Sequence, residues 1–180
     1  MIILDLATRA SMIHMAQRKN GLAAKLFRAL ESDWMDGAYA SEIVDVLAEL
    51  ELPVHVEWVS GFDSGVDGFA ADALKRGRLV LLAYESERTS RHRHWVLGVG
   101  CSGESQDRKL AVDTLLALDP STDSLPFTVC NCAFSVSKPV DFGLRLKSVV
   151  WKLDSVDDVE NVRLMSAISL TPRIHHRRHR

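Results

Sequence analysis

Apolar residues in the first fifty positions recur every three or four residues, which is the period of an amphipathic helix. They predict one helix over Leu6 to Gln17 and, after the break at Asn20-Gly21, a second over Leu22 to Leu30. Ser41 is expected to cap a third helix, whose apolar stripe runs from Ile43 to Leu50. Residues 1–50 are therefore predicted to be helical.

Beyond this part, the helical period gives way to strand patterns. Val54 to Trp58 alternates between apolar and polar residues, as a half-buried strand does. A short helix over Phe69 to Arg76 is expected to end on Gly77. The remaining apolar segments predict strands: Arg78 to Tyr84, His94 to Gly100, Leu110 to Leu118, Phe127 to Val136, Leu144 to Leu153 and Val162 to Leu170. The polar segments between them predict hairpin loops: Ser102 to Lys109 and Asp154 to Asn161.

Helices followed by an antiparallel sheet define an α+β arrangement. A chain of 180 residues is long enough to bury a core of its own, so we predict one domain over residues 1–172. Its helical part is expected over about residues 1–50 and its sheet over about residues 53–170. Hydrophobic residues make up 47% of the chain and charged residues 26%, as in ordinary globular proteins.

The carboxyl terminus is basic, whereas the rest of the chain is acidic. Four of the last eight residues are arginines, although the formal net charge of the whole chain is −2. Residues 173–180 are predicted to be a disordered, solvated tail. An alternative is a nucleic-acid-associated module that binds phosphates through this tail, in which case binding would fall steeply with salt.

The cysteines favour a reducing compartment. There are three, an odd number, and one residue separates Cys130 from Cys132, which fits neither a disulfide framework nor a zinc knuckle. No basic leader is recognisable and no apolar run approaches the roughly 20 residues of a membrane span, so we expect a cytoplasmic protein. His92 and His94 could share a zinc ion, but further ligands are not apparent in the sequence, and neither a metal nor another cofactor is expected.

Two residues suggest catalytic chemistry. His94 opens one predicted strand, and Asp119 ends the next. An aspartate that accepts a hydrogen bond from one ring nitrogen leaves the other nitrogen free to take a proton, as a general base requires. Two structural alternatives stay open. His94 could be a strand-end histidine bonded to a backbone carbonyl, and Asp119 could bond to its own turn.

The segments His94 to Gly100 (HWVLGVG) and Leu115 to Ser121 (LLALDPS), preceded by Lys75 to Leu82, are similar to papain-like cysteine peptidases of the bacteriocin-processing type. These bacterial enzymes cut leader peptides after a double glycine. The resemblance covers about residues 17–136, and its β half is the more specific. It implies a papain-like fold, with amino-terminal helices packed on a carboxyl-terminal antiparallel sheet, in which His94 is the base and Asp119 orients it.

The same resemblance places the family's nucleophilic cysteine at Asn20 and its oxyanion-hole glutamine at Gln17. A helix amino terminus stabilises a thiolate, and a nearby histidine accepts its proton. Asparagine has no ionisable thiol or hydroxyl, and no cysteine precedes His94 in the sequence. Ser11 could substitute as nucleophile, although its helical pattern favours a surface or capping role. Hydrolysis by the family's mechanism is therefore not expected.

The resulting prediction is a degenerate peptidase-like domain, a pseudoenzyme that binds a peptide or protein segment in a cleft without cleaving it. Pairing with a strand edge would supply affinity, and pockets near Trp95 or Trp34 would supply preference. The alternative is an active hydrolase or acyl-transfer enzyme in which His94 and Asp119 act on a nucleophile placed elsewhere or on a water molecule. A thiol, hydroxyl or water about 3 Å from the imidazole would distinguish this enzyme from the binding domain.

Overall fold

A computed structural model describes the following residues: 22–29, 38–52, 54–61, 65–86, 93–106, 109–121, 129–136, 149–154 and 159–172. The chain divides into two compact units, residues 1–53 and residues 54–180. The single domain predicted over residues 1–172 stays a prediction.

The first unit contains two described helices, α1 (Leu22–Ala29) and α2 (Ala40–Glu49). Tyr39, and not Ser41 as predicted, is the residue that precedes α2. Its backbone N–H donates to Glu42 Oε2 at 2.6 Å, which satisfies a backbone donor at the helix start. A glutamate in the first turn thus takes over a capping role that the sequence pattern assigned to a serine.

The second unit is built on an antiparallel sheet. Its described elements are β1 (Val54–Ser60), α3 (Val66–Lys75), β2 (Leu79–Ser86), β3 (Arg93–Gln106), β4 (Lys109–Leu118), β5 (Cys132–Ser135), β6 (Val149–Asp154) and β7 (Val159–Pro172). The strand order is β1-β7-β2-β3-β4-β5-β6, and β7 also pairs with β6. The first part of β7 pairs with β6 and its later part with β1. Strands β2 to β7 therefore form a closed ring.

Helix α3 packs against β7, β3 and β2. It ends in a Schellman motif at Gly77, whose φ of 72° lies in the left-handed region that glycine tolerates. The Gly77 N–H donates to the Leu74 carbonyl at 2.9 Å, and the Arg78 N–H donates to the Ala73 carbonyl at 3.1 Å. The helix end that the sequence predicted at Gly77 is observed.

The core of the second unit lies between α3 and one face of the strands. Its largest fully buried apolar side chains come from five strands: Val80, Leu82, Val96, Leu115, Phe134 and Val162. Strand register aligns them, since Leu82 pairs with Val96 and Leu115 pairs with Phe134. Side chains of paired residues point to the same face of a sheet, so this register continues the core face from strand to strand.

The predicted α+β papain-like fold, with amino-terminal helices packed on the sheet, is wrong. The described residues are mostly antiparallel strand, and their helices are short. Within the second unit, α3 packs on the sheet although it lies in the part of the sequence that forms the strands. Amphipathic spacing identifies a helix with a buried face, but it does not say which surface buries that face.

Several strands are longer than predicted, whereas β5 (Cys132–Ser135) covers only part of the strand predicted over Phe127 to Val136. β3 continues to Gln106 and β4 begins at Lys109, so most of the predicted loop Ser102 to Lys109 is strand. Likewise, part of the predicted loop Asp154 to Asn161 belongs to β6 and β7. In β3 the polar residues Ser102, Glu104 and Ser105 are exposed. A hairpin whose faces are solvated needs no apolar alternation, which explains why its sequence resembles a loop.

Candidate active site

Strand register brings His94 and Asp119 to one face of the sheet. His94 pairs with Tyr84 across β2 and β3, and Gly98, four residues further along β3, pairs with Ala117 of β4. Residues two or four apart along a strand share a face. Asp119 follows β4 directly, two residues beyond Ala117, and therefore lies on the same face as His94.

The two side chains are in contact. His94 Nε2 lies 2.7 Å from Asp119 Oδ1, a distance typical of a hydrogen bond to a charged group. The Asp119 side chain is 0% exposed, whereas the His94 side chain is 30% exposed. With Asp119 ionised, Nε2 is the donor in this contact, because a carboxylate accepts hydrogen bonds and donates none. In the neutral ring, Nδ1 then holds the lone pair and is the nitrogen that can accept a proton.

Asp119 is held by its own turn as well as by His94. The Ser121 backbone N–H donates to Asp119 Oδ1 at 2.9 Å, and the Ser121 hydroxyl donates to the same oxygen at 2.6 Å. Aspartate commonly bonds to backbone two residues further on in a turn. The turn and the contact with histidine, which the sequence left as alternatives for Asp119, therefore occur together.

Asn131 fixes the backbone of Asp119. The Asp119 N–H donates to Asn131 Oδ1 at 2.6 Å, and Asn131 Nδ2 donates to the Asp119 carbonyl at 2.8 Å. The Asn131 backbone N–H in turn donates to the Ala117 carbonyl at 3.0 Å. Asn131 is only 5% exposed, so these bonds are shielded from water. Its side-chain amide therefore continues the hydrogen bonding between β4 and β5 beyond the last backbone pair.

Aromatic rings support the imidazole from the core side. The Tyr84 and His94 ring centroids are 5.5 Å apart in an edge-to-face arrangement. Tyr84 makes a second edge-to-face contact, also at 5.5 Å, with Phe134, which is fully buried. Because Phe134 belongs to the core, this pair of contacts connects the orientation of the His94 ring to rigid packing.

Ser121 supplies a hydroxyl near the imidazole, but its geometry is not that of a nucleophile. Among the residues that the structure describes, it is the one hydroxyl within hydrogen-bond distance of the His94 ring, with Oγ 3.5 Å from Nε2. Nε2 is the nitrogen that faces Asp119, and the same hydroxyl donates to that carboxylate. Ser121 therefore belongs to the support of Asp119.

The structure brings together two of the four predicted site residues, His94 and Asp119, whose catalytic role stays a prediction. The predicted nucleophile position Asn20 and oxyanion-hole position Gln17 lie outside the described residues. Other residues considered from the sequence also lie there: Ser11, Trp34, His92, the helix predicted over Leu6 to Gln17, and the tail 173–180.

Sequence analysis missed three residues of this site: Tyr84, Ser121 and Asn131. Ser121 had a signal, since serine two residues after Asp119 commonly closes a turn. Asn131 also had one, because it is the one amide side chain in the largely apolar segment predicted to be a strand. Tyr84 carried no signal of its own, because its contact with His94 follows from strand register.

Other chemistry finds little support in the described part of the chain. No three His, Cys, Asp or Glu side chains there come together as a group that could hold a metal ion. Nor does any helix there have the length and apolarity to cross a membrane. Cys101, Cys130 and Cys132 form no disulfide, and burial raises the pKa of Cys101.

Comparison of the chain with protein-family models, with curated proteins and with solved structures gives no match. A functional assignment therefore rests on the geometry around His94.

Proposed function

We propose that the second unit carries a proton-transfer site of the hydrolase or acyl-transfer type, in which His94 is the general base and Asp119 orients it. One observation supports this above others. A fully buried carboxylate lies 2.7 Å from Nε2 of an imidazole that is itself partly exposed. This is the arrangement that directs the other ring nitrogen, Nδ1, toward a reacting group.

In the proposed reaction, His94 Nδ1 takes a proton from a water molecule as the water oxygen adds to the acyl carbon of a peptide or ester. The imidazolium then gives that proton to the leaving amine or alcohol as its bond to carbon breaks. One water molecule is consumed, and His94 returns to its neutral form. The Asp119 charge stabilises the imidazolium, and general acid–base catalysis of this kind contributes about 10²–10⁴-fold.

The burial of Asp119 favours a functional arrangement over a purely structural turn. Removing a carboxylate from water is unfavourable by several kcal/mol unless hydrogen bonds compensate for it, so such groups are uncommon in turns. The Ser121 donors alone would complete a turn, and they would do so equally well at the surface. Burial of the carboxylate adds a fixed charge behind the imidazole in a medium where that charge acts strongly.

The test is turnover of a library of peptides and activated esters, followed by mass spectrometry. Wild type is compared with His94→Ala and with His55→Ala. His55 is the matched control, since its Nε2 also lies near a carboxylate, 3.8 Å from Glu57 Oε1. Both side chains of that pair are largely exposed, at 60% and 43%, whereas the Asp119 side chain is buried. The proposal predicts turnover that His94→Ala removes and His55→Ala leaves unchanged. Turnover that survives His94→Ala would contradict it.

A second candidate function is peptide binding without cleavage. It is favoured by the Ser121 hydroxyl being committed to Asp119, and by β1, which among the described strands pairs along one edge only, with β7. A free strand edge can pair with an extended peptide, and Trp58 on β1 is 45% exposed. This function predicts that library peptides bind uncleaved and that Trp58→Ala weakens binding. The matched control is Tyr39→Ala, which removes an exposed aromatic side chain from the first unit.

A further inference from the structure

We propose that Asn131 is a positioning residue of this site, which orients Asp119, and through it His94, by pairing with the Asp119 backbone. The effect on catalysis rests on the proposed function, whereas the effect on the geometry of His94 does not. The hydrogen bonds of the Asn131 side chain go to Asp119, so it acts on the imidazole through the aspartate.

The backbone pairing of β4 with β5 ends where Ala117 pairs with Cys132. Asp119, two residues further on, is 2% exposed and needs partners for both its N–H and its carbonyl. One Asn131 side chain supplies both, at 2.6 Å and 2.8 Å. A primary amide is the neutral side-chain group that offers an acceptor and a donor on one rigid plane, as a backbone amide does.

Fixing the backbone leaves the Asp119 side chain little freedom. Once the Asp119 N–H and carbonyl are held, only its side-chain torsions can move the carboxylate. The two Ser121 donors on Oδ1 restrict these torsions. The position of Oδ1 therefore depends on Asn131 for the backbone and on Ser121 for the side chain. A displacement of about 1 Å in such a contact is enough to lower a rate about 10²-fold.

The test uses the ring proton on His94 Nε2, observed by NMR in 15N-labelled protein. A ring N–H bonded to a buried carboxylate exchanges slowly with water and resonates far downfield. Wild type is expected to show this resonance, and His94→Ala assigns it by removing it. In Asn131→Ala we expect the proton to exchange at least about fivefold faster, the factor that corresponds to losing one hydrogen bond of average strength. Asn161→Ala, which changes an exposed asparagine on β7, should leave the exchange rate unchanged.

A second variant keeps the proposal testable if Asn131→Ala does not fold. Asn131→Asp retains an oxygen that can accept from the Asp119 N–H but loses the donor to its carbonyl. We expect exchange faster than in wild type. Unchanged exchange in the Asn131 variants, or a wild-type ring proton that exchanges as fast as the one on His55, would overturn the proposal.

The exchange measurement needs no substrate, so this proposal and the proposed function can fail separately. A protected ring proton that depends on Asn131, in a chain without turnover, would support the positioning role and count against the function. Where turnover is found, Asn131→Ala is expected to lower kcat with little change in KM, because it displaces a group that acts in the transition state.

Discussion

The contact between His94 and Asp119 predicts that substitutions at the two residues have coupled effects on the free energy of unfolding. We consider His94→Ala, Asp119→Ala and the double variant, each compared with wild type. If the side chains interact, the two single losses in unfolding free energy will add up to more than the loss in the double variant. The difference measures the interaction itself, provided that each single change introduces no new contact.

The contacts of each side chain set the size of the losses. His94→Ala leaves Asp119 Oδ1 with both Ser121 donors, and the ring is 30% exposed, so we expect a loss of about 1–2 kcal/mol. Asp119→Ala removes the oxygen that His94 and both Ser121 donors contact and leaves a small cavity, for a loss of about 2–4 kcal/mol. The coupling should be about 1–2 kcal/mol, the range of a partly exposed hydrogen bond to a charged group.

The assay is urea unfolding near neutral pH, with linear extrapolation to water. Because the chain has two compact units, fluorescence and circular dichroism must give coincident transitions before a single free energy is assigned. The pair His55 and Glu57 provides the matched cycle. Its atoms are 3.8 Å apart and exposed, so its coupling should be below about 0.5 kcal/mol. A His94–Asp119 coupling no larger than that of this control would refute the reasoning.

Three further predictions concern the sheet. Gly103→Ala would place a Cβ 1.9 Å from the Ala111 carbonyl oxygen, so we expect urea unfolding to show a free energy of unfolding lower by about 1–3 kcal/mol. Gly68 has open space around it, so Gly68→Ala should not lower the free energy of unfolding. Phe134→Ala should cost about 3–5 kcal/mol in the same assay and should also speed exchange of the His94 ring proton. Burial raises the pKa of Cys101, so a smaller fraction of this thiol is thiolate than in an exposed cysteine. At mildly alkaline pH, mass spectrometry should therefore show that Cys101 is alkylated more slowly than the cysteine of a short peptide. Equal stability of the two glycine variants, an unchanged ring-proton exchange, or equal alkylation rates would count against the respective explanations.

Sequence reasoning located the core strands because their apolar runs are local signals. Val96 and Leu115 lie in segments whose composition predicts buried strands, and both are buried in strands. Gly77 marked a helix end for the same reason, since a left-handed residue is required there. These features depend on a few neighbouring residues, so the sequence alone contains the information needed to find them.

The overall arrangement was not predictable in the same way. Which helix covers the sheet depends on contacts between distant parts of the chain, and the periodicity of α1 and α2 did not contain that information. The family resemblance implied a helical half packed on a sheet, whereas the described residues are mostly antiparallel strand with short helices. The polar outer part of β3 was mistaken for a loop because solvated strands lack apolar alternation.

The site was predictable in part. His94 and Asp119 stood out because each is a titratable residue at the boundary of an apolar segment. Asn131 did not, because its role depends on the pairing of β4 with β5, which places its side chain against the Asp119 backbone. An asparagine within an apolar segment is a signal worth testing against the nearest strand end.

The central claim is that Asp119 makes His94 a general base. The most direct test compares hydrolysis of an activated ester, such as p-nitrophenyl acetate, by wild type and by Asp119→Asn, with Asp45→Asn as a control at an exposed position. Asparagine preserves size but removes the charge and can donate to Nε2, which reverses the ring tautomer. The account predicts a fall in kcat of roughly 10²–10⁴-fold in Asp119→Asn and no change in Asp45→Asn. Equal rates in wild type and Asp119→Asn would contradict it.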